Sequence, residues 1–340
     1  MSYFVSNFYV FQKIRDVSEF ARQLDLRRNS GLSALIILAE EGINASLSST
    51  DLKTLEDYEA QVLELLNLQL ASISQAETPT SVPELWTRDN VRIKTSRSHI
   101  QPLSEFVVKI RPEIVTLGRP DLDISKQWRH PSQHLSPKEW HEALQDPDTL
   151  VVDTRNWYEY EIGTFRGALN PNIEQFTEFS SFARENLPKN KRILIFCTGG
   201  IRCEKGIFDL QEQGFQNVQQ LEGGILNYLE AFPDGGAFQG ECFVFDQRVA
   251  VQPNLEPSET YRFCPHCGQP ARRVVECARC GQTTRICNRC HKNEVLGLTC
   301  SKNCAHHYSL HPGKKGARQI PAWLQSEKQE RKASVDNRSK

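Results

Sequence analysis

Apolar and polar positions alternate along Tyr3–Phe11, as in a strand with one covered face. The period then changes: Val17, Phe20, Ala21 and Leu24 fall on one side of a helix from about Val17 to Leu26. An apolar run over residues 34–38, a Glu40-Glu41-Gly42 turn and a second run over 43–47 read as two strands. Residues 51–68 then form a long amphipathic helix, with Ser49-Thr50-Asp51 supplying its N-cap. With Phe106–Ile110 as the last strand, this β-α-β-β-α-β order predicts a ferredoxin-like (acylphosphatase-like) α+β domain over residues 1–118.

From Ser136 onward the pattern alternates differently. Helices are expected at 137–144, 174–187 and 224–232, and short β-branched or apolar strands at 150–153, 192–196 and 215–221. Such alternation predicts a parallel sheet with helices on both faces over residues 130–235, and ligands in such sheets sit at the carboxyl ends of the strands. Polar, Pro- and Ser-containing stretches at 72–83 and 118–137 read as connections. Residues 236–312 form a cysteine-rich region, and 313–340 a basic tail expected to be disordered.

Charge sharpens this division. The formal net charge is only −1, yet from Tyr261 to the end there are 16 Lys and Arg against 5 Asp and Glu, leaving −12 for the first 260 residues. A basic module of this kind suits a polyanionic partner or is a solvated tail. A second basic cluster, Arg92, Lys94, Arg97, Lys109 and Arg111, is either an RNA-facing surface or an ordinary solvated face. No apolar run approaches a membrane span, and the start of the chain lacks the basic and apolar regions of a signal peptide, so a cytosolic protein without a membrane partner is expected.

The candidate chemistry centres on Cys197-Thr198-Gly199-Gly200-Ile201-Arg202, between a predicted buried strand and a predicted helix. Two glycines permit a tight loop, and its N–H groups with the helix N-terminus favour an anion, so Cys197 is expected to titrate below the free-thiol value of about 8.5. Arg202 adds a fixed positive charge. Four residues separate Cys197 from Arg202, one fewer than in the phosphate-cradling loop of cysteine-dependent phosphatases, and this length suits a sulfur atom on the cysteine. Cys203, in the first turn of the helix, lies within reach of disulfide or persulfide exchange with Cys197, or simply packs.

The segment Asp153-Thr-Arg155 through Gly167-Ala168, the Cys197 loop and Glu222-Gly223-Gly224-Ile225 resemble the rhodanese domain. Residues 39–44, 106–118, 197–205 and 243–248 extend the likeness, so that most of the chain resembles the rhodanese-domain tRNA uridine hydroxylases, the TrhO (YceA) family. That resemblance implies hydroxylation of carbon 5 of the wobble uridine with molecular oxygen as co-substrate, tRNA as partner and Cys197 as the essential residue. Arg202 and Cys203 carry over as further catalytic candidates.

The cysteine-rich end has four knuckles: Cys264 and Cys267, Cys277 and Cys280, Cys287 and Cys290, Cys300 and Cys304. Paired thiolates at this spacing predict two structural zinc ions, disulfides being disfavoured in a reducing compartment. The nine-residue interval that recurs between first and second, and between third and fourth, favours pairing of neighbouring knuckles, with a crossed pairing left open. His266 and His291 are alternative ligands or outer-shell residues, and Cys242 is expected to pack.

No Gly-x-Gly-x-x-Gly fingerprint for flavin or nicotinamide is present. Addition of the Cys197 thiolate to carbon 6 of uracil would make carbon 5 enolate-like, with Arg202 or loop N–H groups stabilising the charge. Rhodanese-type sulfur transfer, with Cys197 as persulfide carrier, and a non-catalytic RNA-binding scaffold are the rival readings.

Overall fold

The computed structural model describes residues 2–74, 85–125 and 133–313 and falls into two compact units, Met1–Glu259 and Thr260–Lys340. All but the first residue of the tail expected at 313–340, and most of the connection expected at 72–83, lie outside the described residues. No helix among the described residues is long and apolar enough to cross a membrane.

The first unit opens with β1 (Tyr3–Phe11), α1 (Val17–Leu26), β2 (Leu32–Ala39), β3 (Gly42–Ser49), α2 (Leu52–Ser74), α3 (Arg88–Val91), β4 (Lys94–Ser98) and β5 (Phe106–Ile110). The sheet order is β4-β1-β3-β2-β5. Its first four strands have the ferredoxin-like arrangement, but the fourth is Lys94–Ser98 rather than the expected Phe106–Ile110, which is a fifth strand parallel to β2. Lys-Thr-Ser-Arg-Ser has no apolar alternation because it is a half-exposed edge strand, held by its ladder to β1. One face of the sheet packs Phe8, Ile36, Leu38 and Ala45 with Phe20 and Leu24 of α1 and Tyr58 and Val62 of α2. The opposite face presents Asn7, Tyr9, Leu35, Ile37, Asn44 and Ser46 to a cavity. Period-two alternation therefore gives this sheet two working faces.

The second layer comprises β6 (His134–Leu135), α4 (Pro137–Ala143), β7 (Leu150–Asp153), α5 (Trp157–Ile162), β8 (Gly163–Phe165), α6 (Phe179–Asn186), β9 (Ile193–Phe196), α7 (Ile201–Glu212), β10 (Val218–Leu221) and α8 (Gly224–Ala231). Its sheet is parallel in the order β6-β10-β9-β7. All four residues of β9 are fully buried: Ile193 and Ile195 face a core with Phe179 and Ile207, and Leu194 and Phe196 face one with Trp140, Phe165 and Tyr228. A strand covered on both sides reads as a continuous apolar run.

Residues 236–259, grouped by sequence with the cysteine-rich region, pack against this layer. There β11 (Phe238–Gly240) pairs with β8, β12 (Cys242–Phe243) pairs with β13 (Ala250–Val251), and Phe238, Cys242, Val244 and Val251 join the Trp140 core. Cys242 is buried with its Sγ 3.6 Å from the Phe243 carbonyl oxygen.

The second unit contains two hairpins, β14 (Arg262–Phe263) with β15 (Pro270–Ala271) and β16 (Arg273–Glu276) with β17 (Thr283–Ile286), followed by α9 (Asn288–His291) and α10 (Lys302–Leu310). Its small core is Ala271 and Ile286 with Cys264, Cys287 and Cys290.

Candidate active site

Cys197 follows the last residue of β9 and precedes α7, at the carboxyl edge of the parallel sheet. Gly200 caps α7 at φ +100°, and a Cβ there would come within 2.8 Å of the Tyr9 hydroxyl. Gly224, also at positive φ, is required for another reason: its Cβ would meet the Cys197 and Thr198 carbonyl oxygens at 2.5 and 2.6 Å. That close approach lets the N–H groups of Ile225 and Leu226 donate to those carbonyls at 2.9 and 3.1 Å, so the first turn of α8 clamps the loop.

The Gly200 N–H donates to the Cys197 sulfur at 3.1 Å. Burial alone would raise the pKa of this thiol, but hydrogen bonding from the Cys203 thiol, the Arg202 charge and the N–H groups of Arg202 and Gly200 outweigh it and bring it down to about 6. Cys203 moves the opposite way, because burial and the neighbouring Cys197 sulfur push it well above the ordinary thiol value. The pair is therefore a thiolate and a thiol at neutral pH. The Cys203 sulfur also lies 3.7 Å from Thr154 Oγ1, whose hydroxyl donates to the Phe196 carbonyl at 3.0 Å.

Arg202 lines the cavity but is not a free cation. Its guanidinium donates to both Glu159 oxygens at 2.7 and 2.6 Å, and both side chains are buried. This fork ties the loop to α5, and the guanidinium also lies 5.6 Å from the centre of the Phe245 ring. The guanidinium is thus held in a structural pairing at the cavity wall, and its charge also lowers the Cys197 pKa.

A cavity of about 540 Å³ opens over Cys197, walled by the free face of the N-terminal sheet on one side and by the loop, Phe176 and Phe245 on the other. Three sequence motifs far apart in the chain meet beside it. Lys205 is fully buried and its ammonium contacts Glu41 at 2.7 Å and Glu113. Glu41 accepts from the Ile114 N–H at 2.6 Å, and Glu113 accepts from the N–H groups of Leu117 and Gly118 at 3.1 and 2.9 Å. Glu204 accepts from the Tyr9 hydroxyl at 2.9 Å and contacts His134 Nε2 at 3.1 Å.

The N-terminal basic cluster divides. Arg92, Lys94 and Arg111 line the cavity, Arg97 stacks over Phe4 beside a smaller adjoining cavity, and Lys109 is exposed. The Lys94 ammonium donates to the Gly223 carbonyl, Arg92 pairs with Glu222, and burial lowers Lys94 to about 8. Sequence reasoning misses Tyr9, His134, Glu204 and Phe245 as site residues. Glu204 and Phe245 have a legible signal, lying in the 197–205 and 243–248 segments of the family likeness; Tyr9 and His134 become neighbours of the site only through the packing of the two layers.

In the second unit the eight knuckle cysteines form two groups, Cys264, Cys267, Cys287 and Cys290, and Cys277, Cys280, Cys300 and Cys304, with the sulfurs of each within 4.8 Å of one another. First therefore pairs with third and second with fourth, correcting the expected pairing of neighbours. The cause is the β16–β17 hairpin: its register sets Arg273 opposite Ile286, which returns the third knuckle to the first, while the second rides on the distant tip. Zinc–sulfur bonds of about 2.3 Å place tetrahedral sulfurs about 3.8 Å apart. The 3.5 Å separations of Cys267 from Cys287 and of Cys280 from Cys300 suit such an ion. His266 instead bonds the Thr299 carbonyl at 2.7 Å, and His291 is exposed.

Residues 136–231 match the rhodanese-like domain model and residues 239–305 the rhodanase C-terminal model. The chain is 42% identical over 323 residues to a tRNA uridine(34) hydroxylase from Bdellovibrio bacteriovorus, covering 94% of this chain and 85% of that protein. A protein of the same name from Synechocystis sp. is 40% identical, with 85% and 99% covered. A solved rhodanese-like domain from an Anabaena sp. protein gives a TM-score of 0.28 at 24% identity, covering 32% of this chain and 79% of that one, too low to add to the sequence match. Near-complete coverage at this identity decides the matter: the chain belongs to the tRNA uridine(34) hydroxylase family.

Proposed function

We propose that this protein hydroxylates carbon 5 of uridine 34 in tRNA, with Cys197 as the nucleophile and molecular oxygen as co-substrate. The observation that carries this reading is the buried Cys197 thiolate beneath a cavity of about 540 Å³, a volume suited to a single flipped-out nucleoside, in a chain of this family. The thiolate adds to carbon 6, forming an S–C bond and sending the carbon 5–carbon 6 electron pair to carbon 5 and oxygen 4. The enolate so formed is the electron-rich site for oxygen. Loss of the carbon 5 proton and departure of the thiolate then restore the double bond.

Arg202 acts through position and field, holding the loop against Glu159 while lowering the Cys197 pKa. Cys203 completes the thiol pair. The basic second unit, organised by two structural zinc ions on its two tetracysteine groups, supplies phosphate contacts to the tRNA, and the reaction takes place in the cytoplasm.

Nucleoside mass spectrometry of tRNA from cells lacking the protein tests the reading. The expected result is loss of 5-oxygenated uridine at position 34, restored by the wild type and not by Cys197→Ser. Loss of a thiolated uridine with 5-oxygenation intact would favour sulfur transfer, the reading that the short Cys197–Arg202 loop supports by itself.

A further inference from the structure

Hydroxylation by O2 leaves one electron pair without a source. One atom of O2 ends on carbon 5, and the other must leave as water, which requires two electrons and two protons. We propose that Cys203 is the resolving thiol of the reaction, closing a disulfide with Cys197 in each turnover so that the two cysteines supply those electrons and protons. This inference rests on Cys197 being the nucleophile for uridine 34.

The two sulfurs stand in the relation this role requires. Cys197 lines the cavity, whereas Cys203 is fully buried behind it, off the wall, where it cannot touch a base. Cys203 lies in the first turn of α7, its N–H donating to the Gly200 carbonyl at 3.0 Å, and its sulfur neighbours the Cys197 sulfur and Thr154 Oγ1, the latter at 3.7 Å. Cys242 is also buried, but its sulfur points to the Phe243 carbonyl. A low-pKa thiolate backed by a protonated thiol is the arrangement in which a sulfenic acid condenses to a disulfide.

The steps balance. Oxygen adds to the carbon 5 enolate and takes a proton, giving a hydroperoxide on carbon 5 while Cys197 remains on carbon 6. Loss of the carbon 5 proton expels Cys197 as thiolate. That thiolate attacks the distal oxygen; the O–O bond breaks, the proximal oxygen becomes the 5-hydroxyl, and Cys197 becomes a sulfenic acid. The Cys203 sulfur displaces its hydroxyl, which leaves as water with the Cys203 proton. Uridine, O2 and two thiols thus give 5-hydroxyuridine, water and a disulfide, and an external dithiol resets the pair.

The test uses the full-length reduced protein, freed of small thiols and mixed in air with substrate tRNA. One 5-hydroxyuridine per chain is expected, with further product only after dithiothreitol is added. Trypsin cuts after Arg202, between the two cysteines, so non-reducing digestion should show their peptides joined. Cys203→Ala, checked for an unchanged melting temperature, should give the single turnover with Cys197 captured by dimedone, whereas Cys242→Ala should still form the disulfide. Continuous turnover without reductant, or one turnover leaving both thiols reduced, would overturn the inference alone. Absence of 5-hydroxyuridine even with dithiothreitol would overturn the function reading with it.

Discussion

Cys197 shows how a single residue's chemistry follows from its surroundings. Three donors and one fixed charge outweigh the cost of burying an anion, and the thiolate persists down to about pH 6. Protonation below that value removes the nucleophile, so turnover should fall about tenfold per pH unit below it and level off above, with the alkylation rate of Cys197 by iodoacetamide tracking the same limb. Cys197→Ser should abolish turnover without lowering the melting temperature. Arg202 is also a structural partner of Glu159. Because Glu159 is buried with it, Arg202→Ala should destabilise the fold by about 3–5 kcal/mol in urea unfolding, and Glu159→Gln combined with Arg202→Met should recover part of that loss. Unchanged stability with a reduced rate would return Arg202 to direct contact with the substrate.

Among elements, the β16–β17 hairpin decides which cysteines share an ion. Zinc content separates the two pairings through double variants. Cys264→Ser with Cys287→Ser should leave one zinc per chain, and Cys264→Ser with Cys277→Ser should leave none; pairing of neighbouring knuckles reverses the two results. The α8 N-terminus makes an equally local demand. Gly224→Ala should disrupt the Cys197 loop, since its Cβ would lie 2.5 Å from a backbone oxygen at a φ of +67°, and the damage should register as reduced alkylation of Cys197 at neutral pH.

For the whole molecule, the charge division is the feature that bears on tRNA. Arg272, Arg273 and Lys292 are exposed in the basic second unit. Replacing all three with Gln should weaken tRNA binding and flatten the dependence of log affinity on log salt by up to about 0.9 for each phosphate that is no longer neutralised. An unchanged slope would place the phosphate-binding side chains elsewhere, with Arg92 and Arg111 at the cavity as the next variants to measure.

The strand and helix pattern, the reactive loop and the four knuckles are legible in the sequence because each is written in short spacings: period two, period 3.6, two glycines close after a cysteine, two or three residues between thiols. The edge strand Lys94–Ser98 is not, since a half-exposed strand needs no apolar signal when a neighbour's backbone holds it. Tertiary structure alone decides which face of the N-terminal sheet meets Cys197, that Arg202 belongs to Glu159, and that Lys205 draws Glu41 and Glu113 together from distant parts of the chain. Local spacing encodes what a segment becomes and which chemistry it carries. Which distant side chain neutralises a buried charge depends on layers that meet only after folding.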